Sequence, residues 1–453
     1  MRPKTQTRLS VLLLCLLLIC LPAMGCGRKD SPAGESGSTP SPDGSATPLE
    51  QLPDKDMEGF EMTFLNYTDA AHGFSLKTIV PEESTTSLNK AIFTRNTYVE
   101  TRYSAVILEE QTDTMLETLN KYTLAGTDEK YHVAMIFDQK VVSAIVAGSL
   151  RTWDGLSYCN LDSPWWNDSA SGCFMLGEGQ YGAVGDFSLS IYSKNYCYFF
   201  NKALFSTIPE QESPYDLVNS GEWTLDKMLE IAEAYTMDLD GDGLWYDGTD
   251  QYGLAGTTKV HYQMVLTGAG ISFVERDASG NPYFAWKDNA YILERVTNII
   301  GKFNDTVGYY NNNPSSPNGS IISTEFLDGH VLMLASTVWN MTDYQNYDVN
   351  IGVLPAPKYN SDQESYYSVS VGGVIGCIPR GIPEEDTENV GILLEAMSCY
   401  SRDRVIPEYR EVLLKTRYAS DPEDSEMLQL IFDTTVFDPG VVTWSLDIRT
   451  PIM

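Results

Sequence analysis

FEMTFLN at Phe60–Asn66 and HVAMIF at His132–Phe137 are the two runs whose reading decides the fold. The first alternates apolar and polar residues as a short strand does, and Val133–Phe137 is a continuous apolar run of the kind buried in a parallel sheet. Between them, Ser87 is placed to cap a helix in which Leu88, Ile92, Val99 and Tyr103 fall on one side. Strand-like Val106–Leu108 follows, then a polar helix from about Thr112 to Leu124. Strand, helix, strand, helix, strand is βαβ order, so an α/β lobe is expected to begin near residue 57. Ligands of open α/β sheets bind beyond the carboxyl ends of strands. That rule singles out Tyr67 and Asp138, just past the first and third strands, each equally readable as an ordinary loop residue.

With 453 residues, 43% of them hydrophobic, the chain can bury two substantial cores. Arg2, Lys4 and Arg8 precede the apolar run Val11–Leu21, which suits a signal peptide and is short for a transmembrane helix. Residues 1–25 are therefore expected to be a signal. It closes on Ala23-Met24-Gly25-Cys26, resembling a bacterial lipoprotein signal in which Cys26 is lipidated. Residues 26–56 are rich in Gly, Ser, Pro and Thr and cannot bury enough apolar surface to fold, so they read as a tether. This layout predicts a body held on the extracellular face of the cell membrane. The net charge of −32 repels phosphate backbones and argues against nucleic-acid binding.

GEWTLDKMLEIAEAYTMDLDGDGLWYDGTDQYG, Gly221–Gly253, begins as a helix capped by Thr224, with Trp223 and Met228 in the positions of a hydrophobic staple. Leu225, Met228, Leu229, Ala232 and Tyr235 recur at helical spacing. Asp238, Asp240 and Asp242 then alternate ahead of Gly243, which is the first half of an EF-hand loop. Position 7 offers the Leu244 carbonyl, but position 12 is Thr249, leaving Asp247 or Asp250 to replace the usual glutamate. A structural Ca2+ and a solvated Asp/Gly turn are both compatible with the pattern.

Trp153–Trp166 is the richest aromatic patch, ending in Pro164-Trp165-Trp166. Neighbours along an extended chain point opposite ways, so one of Trp165 and Trp166 is expected to face a ligand, where an indole covers the CH-rich face of a sugar ring, or else to pack a lobe. Cys159, Cys173, Cys197, Cys377 and Cys399 show no metal-ligand spacing and read as buried thiols, with one or two disulfides, Cys159 and Cys173 being nearest in sequence, as the other option. The four histidines form no paired motif, so no catalytic residue, zinc site or required cofactor is suggested.

FFNKALF at Phe199–Phe205, the helix and Asp loop after it, DQYGLAG, FLDGHVLML at Phe326–Leu334, IGVLPAPK at Ile351–Lys358 and GGVIGCIPRG leading into LLEAMSCYS form an ordered set. Together with Arg95, Asn96, Val99 and Glu100 and the Pro164–Trp166 run, they resemble the extracellular carbohydrate-binding proteins of ABC importers, the broad family of maltose-binding protein, in the lipoprotein form of Gram-positive bacteria. The resemblance covers roughly residues 57–435 and implies an α/β, two-lobed periplasmic-binding-protein-like fold (type II) that closes about a hinge. It implies an N-terminal lobe from 57–190 and a return segment 366–405, a C-terminal lobe from 191–365 and a C-terminal helical segment 406–453. Crossings are expected near Ser190–Phe200 and Pro357–Gly373. Family members usually continue for a few helices past FDTTVFDPG, so the resemblance implies an end that is truncated or packed differently.

By the same resemblance Trp339 matches a sugar-stacking tryptophan, Asp138 lies near where the family places a carboxylate that bonds sugar hydroxyls, and Asp186 is a further candidate ligand residue. Some members that bind acidic oligosaccharides carry an EF-hand-like calcium loop where Asp238, Asp240 and Asp242 stand. The implied partners are a carbohydrate, the membrane-bound permease and the membrane itself, for a monomer with no enzymatic activity. Two rival readings stay open on the residues alone: an exported glycan hydrolase or lyase, for which the 62 acidic residues offer carboxylate pairs, and a surface sugar sensor or adhesin.

Overall fold

The computed structural model describes residues 48–68, 78–80, 86–209, 211–243, 250–311, 322–344, 347–415 and 421–444, except 126–130. Cys26, the signal and nearly all of the tether lie outside them. No helix among the described residues is long and apolar enough to cross a membrane.

Two sheets divide the described body. The first has the strand order Ala105–Thr112, Phe60–Tyr67, Val133–Phe137, Val374–Pro379, Leu150–Arg151, with Gly182–Ala183 also paired to Val374–Pro379. Phe60–Tyr67 runs parallel to both its neighbours, whereas Val374–Pro379 returns from far along the chain and inserts antiparallel, Ile375 opposite Ile136. Phe60–Tyr67 is buried at six consecutive positions, so its apparent alternation is not an exposed face: elements cover the sheet on both sides. The helix Ser87–Tyr103 is capped one residue earlier than expected, by Thr86, whose hydroxyl accepts the Asn89 N–H at 3.2 Å.

The second sheet has the order Tyr309–Asn311, Tyr252–Gly256, Val331–Thr337, Tyr196–Asn201, Ile351–Leu354, with Tyr196–Asn201 antiparallel to both neighbours. The helix Leu225–Tyr235 packs on it, and Thr224 caps that helix by accepting the Lys227 N–H at 3.3 Å. Trp223 and Met228 are both fully buried.

Each sheet has its own apolar core, so the molecule is a two-lobed α/β structure. The helix Thr387–Lys415 belongs to both: Val390, Leu393, Leu394 and Met397 lie in the first core, and Val405, Ile406 and Tyr409 in the second. A boundary at 405/406 therefore falls inside a continuous helix and does not separate a C-terminal unit. Between the sheets the chain crosses at 193–195 and again at 368–373. The crossings touch through an antiparallel bridge between Asn195 and Ser370 and a hydrogen bond from the Val371 N–H to the Lys194 carbonyl at 3.3 Å.

Candidate ligand site at the crossings

Four segments converge where the chain passes between lobes: the carboxyl end of Val133–Phe137, the two crossings, and the turn Val338–Asn340 that ends Val331–Thr337. Tyr67 and Asp138 sit here, both buried. The Tyr67 hydroxyl accepts the Phe137 N–H at 3.5 Å and its ring lies 4.6 Å from that of Phe137, while burial pushes its pKa up to about 12. Asp138 opens the helix Asp138–Val146. Its carboxylate accepts the Gly372 N–H and the Gln139 N–H, each at 2.6 Å, and its own N–H donates to the Gly373 carbonyl at 3.0 Å. Gly372 has φ +84°, a conformation a side chain would strain, so the return crossing is shaped to reach this carboxylate.

Beside Asp138 the lining of Phe174, Ile191, Ser370, Phe437 and Val442 leaves a cavity of about 10 Å³, room for about one water. Asp138 thus ties the second crossing to the first sheet. Asp186 is likewise committed: it accepts the Tyr192 hydroxyl at 2.7 Å and lies 3.4 Å from the Arg402 guanidinium, with burial raising its carboxyl pKa. That places it between the 186–192 segment and the long helix.

Trp339 is half-buried, in a turn anchored by the Val338 N–H on the Asn195 carbonyl at 2.9 Å. The Lys194 ammonium stands 5.6 Å from its ring centroid, and Lys194 is only 6% exposed. Sequence reasoning passed over Lys194, because nothing in its neighbours along the chain announces that residue 339 will lie against it.

Of the two readings offered for Trp165 and Trp166, the structure has the packing one: both belong to the first core, at 9% and 5% exposure. The pair sits in a turn and not in an extended segment, with the Trp166 N–H bonded to the Ser163 carbonyl at 2.9 Å, so both indoles can turn inward. Trp166 packs edge-on to Trp153 at 5.6 Å and donates its indole N–H to Glu395 at 2.8 Å. Gly185 makes room: a Cβ there would stand 2.4 Å from the Trp166 ring. Glu395 also accepts the Asn160 N–H at 3.2 Å, and burial raises its carboxyl pKa. A single acid among LLEAMSC was the signal that could have marked it as a buried partner.

Carboxylate oxygens of Asp238, Asp240 and Asp250 lie within 4.8 Å of one another, Asp250 buried and Asp240 exposed. Asp242 is not in that group, and Leu244 and Asp247 lie outside the described residues. Asp238 already accepts the Gly241 N–H at 2.6 Å and the Gly243 N–H at 3.0 Å, and Asp250 accepts the Leu239 N–H at 2.9 Å. The five cysteines from Cys159 to Cys399 are free thiols, so the disulfide option is set aside.

No family model matches the sequence, and no curated protein matches it either. Solved structures do match. The cyclic α-maltosyl-1,6-maltose binding protein from Arthrobacter globiformis aligns over 86% of this chain and 93% of its own, with TM-score 0.56 and 15% identity. The galacto-N-biose/lacto-N-biose I-binding protein of the ABC transporter from Bifidobacterium longum aligns over 88% and 92%, with TM-score 0.56 and 12% identity. A cyclo/maltodextrin-binding protein complexed with maltotetraose aligns over 85% and 88%, with TM-score 0.55 and 14% identity. This chain has their periplasmic-binding-protein-like fold. All three matched structures are of sugar-binding proteins, and at these identities the likeness is one of fold.

Proposed function

We propose that the protein is the lipid-anchored receptor of an ABC importer, capturing a carbohydrate, in the form of an oligosaccharide, between its lobes and handing it to the permease. The observation that carries this reading is the half-buried Trp339 indole at the crossings of a two-lobed sugar-binding-protein fold. An indole at such a place offers an apolar face to a sugar ring, and the polar groups of the crossings offer hydrogen bonds. The work is done by binding and lobe closure, with no catalytic step. Cys26 carries the lipid, on the outer face of the membrane, and the acidic body stays in water. Asp238, Asp240 and Asp250 are proposed to hold a structural Ca2+.

Thermal unfolding of the protein against a panel of mono- and oligosaccharides, with Ca2+ and with chelator, tests both statements, since a ligand that binds the native state alone raises the transition. A rise with one glycan class and no product formed is expected. A cooperative transition that no sugar moves, or turnover of a glycan, would overturn the receptor reading. An identical transition in Ca2+ and chelator would remove the metal.

A further inference from the structure

After the helix Pro422–Asp433 the chain runs along the junction of the lobes, and its contacts alternate between them. Thr435–Val436 pairs in parallel with Ser368–Val369 of the second crossing, and the Thr435 hydroxyl donates to Asn195 Oδ1 on the first at 2.6 Å. The buried Asp438 carboxylate accepts the N–H groups of Phe273, Val274 and Gly440, the first two on the second lobe. Val441 is buried in the second core and Val442, next to it, in the first. The Thr443 hydroxyl then donates to the Cys173 carbonyl of the first lobe at 2.8 Å. From the opposite side Arg276, on the hairpin Val274–Arg276/Pro282–Phe284, donates to the carbonyls of Gly172 at 3.0 Å and Met175 at 3.2 Å.

We propose that Thr435–Thr443 is a clasp holding the two lobes against each other, and that the lobes separate by releasing its first-lobe end. The two ends are unequal. Asp438 grips the second lobe through charge-assisted hydrogen bonds, which are about twice as strong as neutral ones. Freeing it would strand a buried carboxylate. Against the first lobe stand one neutral hydroxyl bond, the Phe437 and Val442 side chains and the Arg276 bonds to carbonyls, and Arg276 loses little by exchanging those for water. The same release would uncover the cavity beside Asp138, because Phe437 and Val442 form part of its wall. The clasp stands independently of the receptor reading.

Spin labels at Leu124→Cys, on the first lobe, and Leu293→Cys, on the second, with the partly exposed thiol removed by Cys159→Ser, are exposed enough to carry a distance measurement between lobes. Thr443→Val combined with Arg276→Met removes the first-lobe bonds and keeps side-chain bulk. The expected result is a ~10-fold rise in the population at longer distance, from the loss of a few net hydrogen bonds, with a cooperative unfolding transition retained. Each single variant should give a smaller rise. An unchanged distance distribution in a folded double variant would overturn the clasp. Should the double variant fail to fold cooperatively, the single variants decide by the same readout. A longer distance with no sugar bound at any length would sink the receptor reading and leave the clasp standing.

Discussion

Trp166 and Trp339 carry the same indole into opposite settings. Trp166 came from the most aromatic stretch of the chain and is walled into the first core, its N–H spent on Glu395 at 2.8 Å. Trp339 stands without an aromatic patch around it in sequence, and it is the one left half-buried at the crossings, with Lys194 against its ring. Local aromatic density reports on packing volume, and an indole stays partly open where two elements stop short of each other.

The comparison breaks most easily at Trp166. Trp166→Ala is expected to lower unfolding free energy by about 3–5 kcal/mol, as large-to-small changes of a buried tryptophan do, while leaving the sugar affinity of the folded fraction within about twofold. Denaturant unfolding and titration calorimetry on the same preparation would separate the two; a selective loss of affinity would return Trp166 to the site. The converse is expected at Trp339. Trp339→Ala should weaken the saccharide found in the panel by roughly 10–100-fold, the worth of one aromatic face and the apolar area it covers, at a cost below about 1 kcal/mol in stability. Equal loss of stability in both variants would erase the distinction.

A third test uses the carboxyls that accompany the two regions, Glu395 beside Trp166 and Asp438 near the crossings, both raised by burial, the latter to about 6. A carboxyl whose folded pKa lies above its unfolded value contributes stability that is fully present below the unfolded pKa and is lost as pH rises through the folded one. For Asp438 the window runs from the usual value of 3.8 to about 6. Moving from pH 7.5 to 5 should therefore stabilise the native protein relative to Asp438→Asn by about 1.4 kcal/mol. A difference that stays flat with pH would mean Asp438 is not buried as described. The smallest effect belongs to Glu395→Gln, expected to change stability at pH 7 by less than about 1 kcal/mol, since the amide oxygen still accepts the indole N–H. Glu395→Leu, which orphans that N–H, should cost about 1–3 kcal/mol.

Residues whose role depends on neighbours a few positions away were legible. Thr224 caps the helix that the spacing of Leu225, Met228 and Ala232 announces, because a helix turn brings those residues together. The run Val133–Phe137 is buried for the reason its composition states. Asp238 and Asp240 share a loop because three residues of chain cannot separate them far. The candidate site was less legible. Asp138 meets Gly372 across 234 residues and Asp438 meets Phe273 across 165, and no local pattern records such pairs.

Hydrophobic periodicity and capping act within one turn or one strand, so the residues announced the kind of elements, their order and an α/β lobe, while two lobes were expected from the chain's length and its resemblance to known binding proteins. Which tryptophan is enclosed, which aspartate is already occupied by backbone N–H groups and which stretch straddles both lobes were decided only by the tertiary structure. Burial and hydrogen-bond satisfaction are properties of the space between elements, and that space exists only once the crossings have brought the two sheets together.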